Sequence, residues 1–397
     1  MRVLIVHETY QFRGGEDQVV ETDARLLVDR GHNVHRWTVD NQELIQQPLL
    51  RKAFLLWETT WSHASYRQIR VLAEKLHPDV VHFHNTLPII SPSGLRAAHD
   101  ACLPVVMTLH NFRLFCPVGT FFRDGHVCED CVTRSLTQSV IHGCYRGSRL
   151  QTAAVATMLA VHRQMGTWSR CVEAYIAPTE FMREKAVWAG LPADRIFVRP
   201  HAVTASPNHQ DQLGDYLLFV GRLTVEKGIE VLLTAAPGFR SMPIKIVGTG
   251  PLTERVRSAA AAPGSRVEYL GPLDHEQTMD LIRRARVLIV PSQWYEGLGL
   301  VLIEALGSGV PIVATRLGAM AEIVTDSLDG LLFEPGNAGD LAKCVNRIVD
   351  DEGLRSRMSA AASATFDLKF SIESSYEKLM GVYELAIRLA SARRNHG

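Results

Sequence analysis

The sequence predicts an α/β protein made of two doubly wound domains with parallel sheets. Short apolar, β-branched runs alternate with amphipathic stretches, which is typical of successive βαβ units. A polar segment without periodicity, residues 202–214, interrupts this alternation, and the same alternation then starts again. The chain has 397 residues, which is enough for two to three domains at about 150 residues each.

The strands and helices follow from these runs in order. Apolar runs in the first half predict strands at residues 2–7, 33–37, 79–84, 104–110, 174–177 and 196–199. Amphipathic periodicity predicts helices between them, among them residues 16–30, after which Gly31 stands where a C-cap belongs. The second half predicts strands at residues 216–220, 244–247, 267–270, 287–290 and 311–314.

These elements define the predicted domains. An N-terminal Rossmann-like domain is expected over residues 1–205, with a cysteine-rich insertion at about 112–150. A C-terminal Rossmann-like domain is expected over residues 213–370. Residues 371–397 are expected to form a last helix that packs back toward the N-terminal domain. Two such domains would enclose a cleft between the carboxyl ends of their sheets, where ligands bind.

The composition excludes several classes of protein. Apolar residues make up 46% and charged residues 21%, which argues against a disordered, collagen-like or coiled-coil chain. Lysine and arginine number 42 and acidic residues 42, so no nucleic-acid partner is expected. No membrane-spanning run and no signal-peptide pattern is present, so we expect a cytoplasmic protein.

Two carboxylates stand in the segment over residues 292–315. Glu296 lies at a turn after a strand, and Glu304 lies about two turns into a helix predicted to begin near Leu298. Glycines on both sides of that leucine would let a ligand approach the backbone closely: Gly297 and Gly299. A helix N-terminus favours phosphate, and the carboxylates suit sugar hydroxyls. The alternative is that both glutamates belong to a solvated face.

Two cations follow the first strand of the second half. Arg222 and Lys227 lie in FVGRLTVEKGI, where the strand ends and the next helix begins. Arginine can bind phosphate through two hydrogen bonds and lysine as a point charge. The alternative interpretation is an ordinary surface pair.

The N-terminal half offers two further candidates at strand ends. Gly14 and Gly15 lie between the first strand and its helix, and His110 ends the strand that reads TLHN. The glycines admit close backbone approach or simply form a tight turn. His110 is either a ligand contact or a structural histidine with satisfied hydrogen bonds. His82 and His84 are weaker candidates for the acceptor side.

Taken together, the motifs resemble the retaining glycosyltransferases of family 4. The segments are GRLTVEKG, VGTGPL, the two glutamates eight residues apart with GLVLIEALGSGVPIVAT, and DGLLFEPG, and they occur in the family's order. The family has the GT-B architecture of two facing Rossmann-like domains. Two departures from its pattern are Leu298, where members often carry Phe, and Gly318-Ala319, where many have Gly-Gly.

The resemblance implies a role for each candidate residue. Arg222 and Lys227 would bind the diphosphate of a nucleotide-sugar donor and stabilise the leaving charge. Glu296 would bind hydroxyls of the donor sugar, and Glu304 those of the ribose. His110 would contact the donor sugar near its anomeric carbon. Backbone groups would complete the donor site at Gly14, Gly15, Gly297, Leu298, Gly299 and Leu300.

The implied reaction is hexose transfer from a nucleotide-diphosphate sugar to a hydroxyl acceptor with retention of configuration. The acceptor would be a sugar, a lipid-linked molecule or a small molecule, in polysaccharide or glycoconjugate assembly. No Asp-x-Asp motif is present, so no metal cofactor is expected in catalysis. The rival functions are a hydrolysing nucleotide-sugar epimerase and a non-catalytic GT-B subunit.

Four of the seven cysteines lie close together in sequence. Their pattern is C-x11-C-x2-C-x12-C, at Cys116, Cys128, Cys131 and Cys144. The C-x2-C knuckle favours a structural zinc site with four thiolates. Reduced cysteines in a loop, or a redox pair at the knuckle, are the alternatives.

An aromatic segment over residues 49–66 suggests one further partner. It combines leucines and aromatic residues with two cations. Such a segment could form an amphipathic helix that contacts the inner face of the membrane or a lipid-linked acceptor. The alternative is a helix packed on the N-terminal sheet.

Overall fold

A computed structural model describes residues 1–9, 14–40, 57–203, 213–240 and 242–396. The chain divides into two units, each with its own core. The first unit contains Met1–Phe121, Glu129–Ala202 and Glu373–Gly397. The second unit contains Phe122–Cys128 and Val203–Ile372. Most of the segment at residues 202–214 and part of the aromatic segment at residues 49–66 lie outside the described residues.

The first unit has a six-stranded parallel sheet. Its strands are β1 (Arg2–Thr9), β2 (Asn33–Asp40), β3 (Val80–Phe83), β4 (Val105–Thr108), β7 (Ala174–Ala177) and β8 (Ile196–Val198). A short hairpin of β5 (Phe122–Arg123) and β6 (His126–Val127) follows β4 in the chain and is assigned to the second unit. The sheet order β2-β1-β3-β4-β7-β8 reverses direction beside β1. Ligands of such sheets bind where the order reverses, at the carboxyl ends of the strands.

Helices cover both faces of this sheet. They are α1 (Gly15–Asp29), α2 (His63–Leu76), α3 (Ser93–Asp100), α4 (Asp130–Thr133), α5 (Thr137–His142), α6 (Arg149–Gln164), α7 (Thr167–Arg170) and α8 (Glu180–Trp188). The residues of β3, β4 and β7 are all buried, as expected for central parallel strands.

The second unit repeats this architecture. Its strands are β9 (Leu217–Val220), β10 (Ile244–Val247), β11 (Val267–Gly271), β12 (Val287–Val290), β13 (Ile312–Thr315) and β14 (Gly330–Phe333). The order is β11-β10-β9-β12-β13-β14, and every pairing is parallel. The reversal lies beside β9. The loops after β9 and β12 therefore leave the sheet at its switch point.

The helices of the second unit are α9 (Ile229–Ala235), α10 (Thr253–Ala260), α11 (His275–Arg284), α12 (Leu300–Gly307), α13 (Ala319–Ile323), α14 (Ala338–Asp350) and α15 (Glu352–Lys369). The last helix, α16 (Ile372–His396), joins the core of the first unit. The fold class is the predicted one: two Rossmann-like doubly wound sheets. None of the helices in the described part of the chain is long and apolar enough to cross a membrane.

Candidate functional site

Lys227 and Glu296 meet at the switch point of the second sheet. Lys227 lies in the loop after β9, and Glu296 lies in the loop after β12. The Lys227 ammonium is 2.7 Å from Glu296 Oε1. Ser292 Oγ donates a hydrogen bond of 2.6 Å to the same oxygen. The structure thus brings together two residues that are 69 positions apart in sequence.

The carboxylate of Glu296 is held in its charged form. Its residue is only 5% exposed, and burial alone would raise the pKa of the carboxyl group. The Lys227 charge and the hydrogen bonds from Lys227 and Ser292 outweigh burial, so the pKa of Glu296 is lowered. A buried ionised carboxylate of this kind can accept strong hydrogen bonds from hydroxyl groups.

A glycine allows the two loops to approach each other. Gly228 has a φ of +74°, and a Cβ atom there would lie 1.8 Å from the carbonyl oxygen of Pro291. Any side chain at this position would therefore push the loop after β9 away from the loop after β12. Gln293 N also donates a hydrogen bond to the carbonyl of Glu226 at 2.7 Å, which fixes the two loops together.

Arg222 lies in the same loop as Lys227 but faces solvent. Its side chain is 64% exposed, and its guanidinium is 3.5 Å from the carboxylate of Glu226. An exposed ion pair of this length contributes little to stability. The guanidinium is accordingly available for a ligand anion.

The helix α12 begins at Leu300, two residues later than expected. Gly299 precedes it with a φ of +75°, a left-handed conformation that glycine adopts readily and that ends the loop. Glu304 therefore lies about one turn into the helix, rather than two. Gly297 and buried Leu298 form the loop before it. The first N–H groups of α12 have no partners within the helix, which suits an anion.

Glu304 is 7% exposed, and the exposed imidazole of His275 is 3.8 Å from its carboxylate. Together with the burial of Glu296, this excludes the alternative in which both glutamates belong to a solvated face.

In the first unit, Gly14 and Gly15 form the entrance to α1. The backbone N–H of Gly14 donates to Asp17 Oδ2 at 2.9 Å. Asp17 Oδ1 is 2.8 Å from His7 Nε2. Gly14 has an extended backbone, so its conformation does not require glycine. Both glycines are exposed, which leaves their backbone accessible.

His110 follows β4 and lies in a cluster of histidine rings. Its Nε2 is 2.9 Å from Nδ1 of His84, and its ring centroid is 5.2 Å from that of His201. Burial and the neighbouring His7 lower the pKa of His110 to about 3. The imidazole is therefore neutral at physiological pH, and it cannot supply a positive charge to a ligand.

A small pocket adjoins His110 within the first unit. Its volume is about 30 Å³, and its lining includes Glu16, His84, Asn111 and Arg113. Asn111 donates a hydrogen bond of 2.7 Å to Glu16 Oε1, which joins the loop after β4 to the first turn of α1. The loop that follows His110 and the first turn of α1, which begins at Gly15, thus lie side by side.

Sequence reasoning missed a buried ion pair near this site. Arg199 and Asp23 are both fully buried and form two hydrogen bonds of 2.6 and 2.7 Å. Burial would raise the pKa of Asp23, but the guanidinium lowers it overall. The residues are 176 positions apart, so no local signal could have paired them.

The cysteines of the insertion are divided between the units. Cys116, Cys131 and Cys144 lie in the first unit and Cys128 in the second. A hydrogen bond with Cys131, together with backbone N–H groups of residues 118, 119 and 121, lowers the pKa of Cys116 to about 6. No group of three or more His, Cys, Asp or Glu is arranged to hold a metal ion among the described residues. The zinc site stays a prediction.

Comparison with known proteins decides the family. A model described as Glycosyltransferase Family 4 matches residues 13–206, and one described as Glycosyl transferases group 1 matches residues 207–365. The two matches adjoin, and they include every strand of the two six-stranded sheets except β1. The chain belongs to the family 4 glycosyltransferases.

Individual relatives of this family 4 glycosyltransferase are also named as glycosyltransferases. Phosphatidyl-myo-inositol mannosyltransferase of Mycobacterium leprae is 28% identical, over 77% of this chain and 73% of that protein. An uncharacterized glycosyltransferase of Methanocaldococcus jannaschii is 32% identical over 43% of this chain. That match spans 49% of the relative. The chain covers about half of the length of several of the relatives that it matches.

Solved structures share the fold. HepE of Anabaena, crystallised with UDP, aligns with a TM-score of 0.67 at 17% identity, covering 97% of this chain and 100% of that one. Sucrose-phosphate synthase of Thermosynechococcus elongatus also aligns with a TM-score of 0.67 at 17% identity, over 99% of this chain and 98% of that one. At this identity the likeness shows the two-domain fold of the family.

Proposed function

We propose that this chain transfers a hexose from a nucleotide-diphosphate sugar to a hydroxyl acceptor with retention of configuration. The observation that carries the proposal is the contact of 2.7 Å between half-buried Lys227 and buried Glu296, at the switch point of the second sheet. Its cation suits a diphosphate and its carboxylate suits sugar hydroxyls, and both lie in loops near the N-terminus of α12.

Each residue has a definite role in the proposed donor complex. Lys227 and exposed Arg222 bind the diphosphate, and backbone N–H groups over residues 297–300 complete its binding. Glu296 accepts hydrogen bonds from the donor sugar, and Glu304 accepts them from the ribose. His110 contacts the sugar near its anomeric carbon, and Gly14 and Gly15 allow the backbone of the first unit to approach it.

The chemical step needs little beyond positioning and charge stabilisation. The bond between the anomeric carbon and the diphosphate oxygen breaks, and the acceptor oxygen bonds to that carbon on the same face. The acceptor proton passes to the departing phosphate oxygen. The cations at residues 222 and 227 stabilise the negative charge that develops there, and no metal ion is needed for this role.

Relatives support a nucleotide-sugar donor. The Anabaena protein was crystallised with UDP and with UDP-glucose. The mycobacterial relative is named a mannosyltransferase. These ligands and names suggest which donors to test first, namely UDP-glucose and a mannose donor.

The acceptor and the membrane contact are finer parts of the proposal. We place the enzyme in the cytoplasm, acting on a sugar, lipid-linked or small-molecule hydroxyl. Trp61 stacks on His162 and is a packing residue, whereas Trp57 is 71% exposed. Residues 51–56 lie outside the described residues. Peripheral contact through the aromatic segment at residues 49–66 stays a prediction.

The first experiment is a melting-temperature panel with UDP, GDP, ADP and dTDP. A nucleotide at about 100 times its dissociation constant stabilises the folded protein by roughly 2.7 kcal/mol. One nucleotide should raise the melting temperature, and its hexose conjugates should then release nucleotide faster when an acceptor is added. Lys227→Ala should lose this response, whereas Lys343→Ala, at an exposed lysine of the same unit, should keep it.

Two results would count against the proposal. Release of nucleotide that is independent of every acceptor tested would favour the hydrolysing epimerase. A melting temperature that none of the four nucleotides changes, with no turnover of their sugar conjugates, would favour the non-catalytic subunit.

A further inference from the structure

Five histidines surround the carboxyl ends of neighbouring strands in the first unit. His82 belongs to β3, His84 directly follows β3, and His110 lies two residues after the end of β4. The ring centroids of His82 and His84 are 4.2 Å apart, and those of His84 and His110 are 5.2 Å apart. The remaining two members are His7 and His201.

The hydrogen bond between His84 and His110 joins two neutral rings. Burial lowers the pKa of both imidazoles, to about 3 for His110 and well below the usual value for His84. A neutral imidazole carries one N–H and one lone pair. In the 2.9 Å contact between His84 Nδ1 and His110 Nε2, one nitrogen therefore donates and the other accepts.

The surroundings of His84 decide the direction of this bond. Its other nitrogen, Nε2, is shielded from solvent and has no hydrogen-bond partner among the described residues. If His110 donated, His84 would have to carry its proton on that buried, unpartnered Nε2. Orphaned buried N–H groups are rarer than buried acceptors that lack a donor. The arrangement therefore favours His84 as the donor from Nδ1.

His82 holds the donor ring in place. Its Nδ1 is 2.8 Å from the hydroxyl of Tyr383 on α16, and its Nε2 is 2.7 Å from Oγ1 of Thr108. With both nitrogens occupied, the ring of His82 is fixed, and its face packs against His84. His84 is 2% exposed, so neither packing nor solvent gives it a second orientation.

We infer that His84 is a positioning residue that keeps His110 in the tautomer with its proton on Nδ1. His110 then meets a bound substrate with an N–H donor at Nδ1, directed at an oxygen of a sugar or a phosphate. A proton-abstracting role at Nδ1 is excluded in this tautomer, because that nitrogen has no lone pair to accept a proton. The consequence for sugar transfer rests on the proposed function, whereas the tautomer does not.

The tautomer can be measured without substrate. Nitrogen-15 NMR of the histidine side chains in the full chain distinguishes protonated from bare ring nitrogens, and His110→Asn identifies the signals of His110. We expect Nδ1 of His110 to be protonated. Protonation at Nε2 of His110 in the unsubstituted protein would overturn the inference.

A pair of variants tests the part played by His84. His84→Asn keeps an amide donor near the place of Nδ1, and His84→Leu removes the donor at similar volume. We expect His110 to keep its tautomer in the Asn variant and to become a mixture of tautomers in the Leu variant. An unchanged tautomer in a folded Leu variant would overturn the inference. The Asn variant also decides the question if the Leu variant fails to fold, because loss of the Nδ1–H tautomer there would contradict it.

Kinetics give the second readout. With the hexose donor identified by the nucleotide panel, His84→Leu should lower kcat by the fraction of His110 that leaves the Nδ1–H tautomer, about 2- to 10-fold for a mixture of tautomers. The KM for the donor should change little, and His84→Asn should recover most of kcat. Equal losses in the two variants would contradict the inference. If the unsubstituted protein turned over no donor, the proposed function would fail, and the NMR result would still decide the role of His84.

Discussion

At the scale of single residues, the Lys227–Glu296 pair would combine the proposed donor binding with stability of the fold. The carboxylate is buried and the ammonium is half-buried, so each charge depends on the other. A bound diphosphate would contact the same Lys227 ammonium. In the proposed function, each charge of the pair would neutralise the other until a donor binds.

A double-substitution cycle separates these two roles. Lys227→Ala leaves a buried carboxylate without its partner, and we expect a loss of about 3–5 kcal/mol in the free energy of unfolding. It should also weaken nucleotide binding at least 10-fold. Adding Glu296→Gln to Lys227→Ala should recover much of the stability but none of the binding. Denaturant unfolding and nucleotide titration measure the two quantities.

Lys343→Ala is the matched control and should leave both quantities unchanged. A Lys227→Ala variant as stable as the unsubstituted protein, or a double variant no more stable than Lys227→Ala alone, would show that the pair does not stabilise the fold.

The sequence predicted these residues better than it predicted their contacts. Lys227, Glu296 and His110 were identified because each stands where a predicted strand ends. The histidine cluster was missed, although a signal was present. Side chains two residues apart in a strand share a face, and β3 pairs with β4 with His82 opposite Val106. The alternation in HFHN therefore places His82 and His84 beside the TLHN strand.

At the scale of elements, the start of α12 was predicted two residues early. The apolar run LGLVLIEAL continues through residue 299 without a break, so periodicity alone extends the helix backward. The left-handed φ of Gly299 ends the loop instead. This shift brings Glu304 closer to the helix N-terminus.

The cysteine-bearing insertion gives a prediction about metal. A hydrogen bond with Cys131 and backbone N–H groups of residues 118, 119 and 121 lower the pKa of Cys116, which favours the thiolate form that zinc binds. We expect about one equivalent of zinc per purified chain, held by Cys116, Cys128, Cys131 and Cys144. Chelation should lower the melting temperature, and elemental analysis measures the zinc.

A matched pair of variants controls this experiment. Cys131→Ser should lose the zinc, whereas Cys102→Ser, at an exposed cysteine outside the pattern, should keep it. A metal content near zero, with thiol reagent titrating all four cysteines, would contradict the zinc site.

At the scale of the whole molecule, the last helix belongs to the first unit. Leu379, Val382 and Tyr383 pack in one core with residues of β1, β3, β4 and β7. The Tyr383 hydroxyl reaches His82, and Ser375 accepts a hydrogen bond from Arg199 through its carbonyl. Amphipathic periodicity predicted this helix, but its partners in β1 lie at the opposite end of the sequence. The contacts between the last helix and β1 therefore depend on the assembled sheet.

Because His82, His84 and His201 are buried and neutral, the free energy of unfolding of the first unit should depend on pH. Burial lowers the pKa of His82 to about 3 and those of His84 and His201 well below the usual value. Asp23, which is bound to Arg199, opposes this shift at His82 and His201 without reversing it. In the unfolded chain these groups bind protons below about pH 6.5.

The unfolded state therefore binds more protons than the folded state between about pH 6.5 and pH 3. Stability is complete above this window and falls as the pH is lowered through it. Each buried imidazole contributes up to about 1.4 kcal/mol per pH unit. Urea unfolding at pH 8, 6.5 and 5, followed by tryptophan fluorescence, measures this slope, because five of the six tryptophans lie in the first unit. Work above about pH 5 keeps carboxylates of ordinary pKa ionised, whereas burial raises the pKa of Glu173 in the first unit.

Two substitutions test whether the histidine cluster causes this pH dependence of the free energy of unfolding. His84→Asn should reduce the pH dependence by the contribution of one imidazole, and His35→Asn, at an exposed position of β2 outside the cluster, is the control. A free energy of unfolding that stays constant from pH 8 to pH 5, or that changes equally in both variants, would show that the cluster does not link folding to protonation.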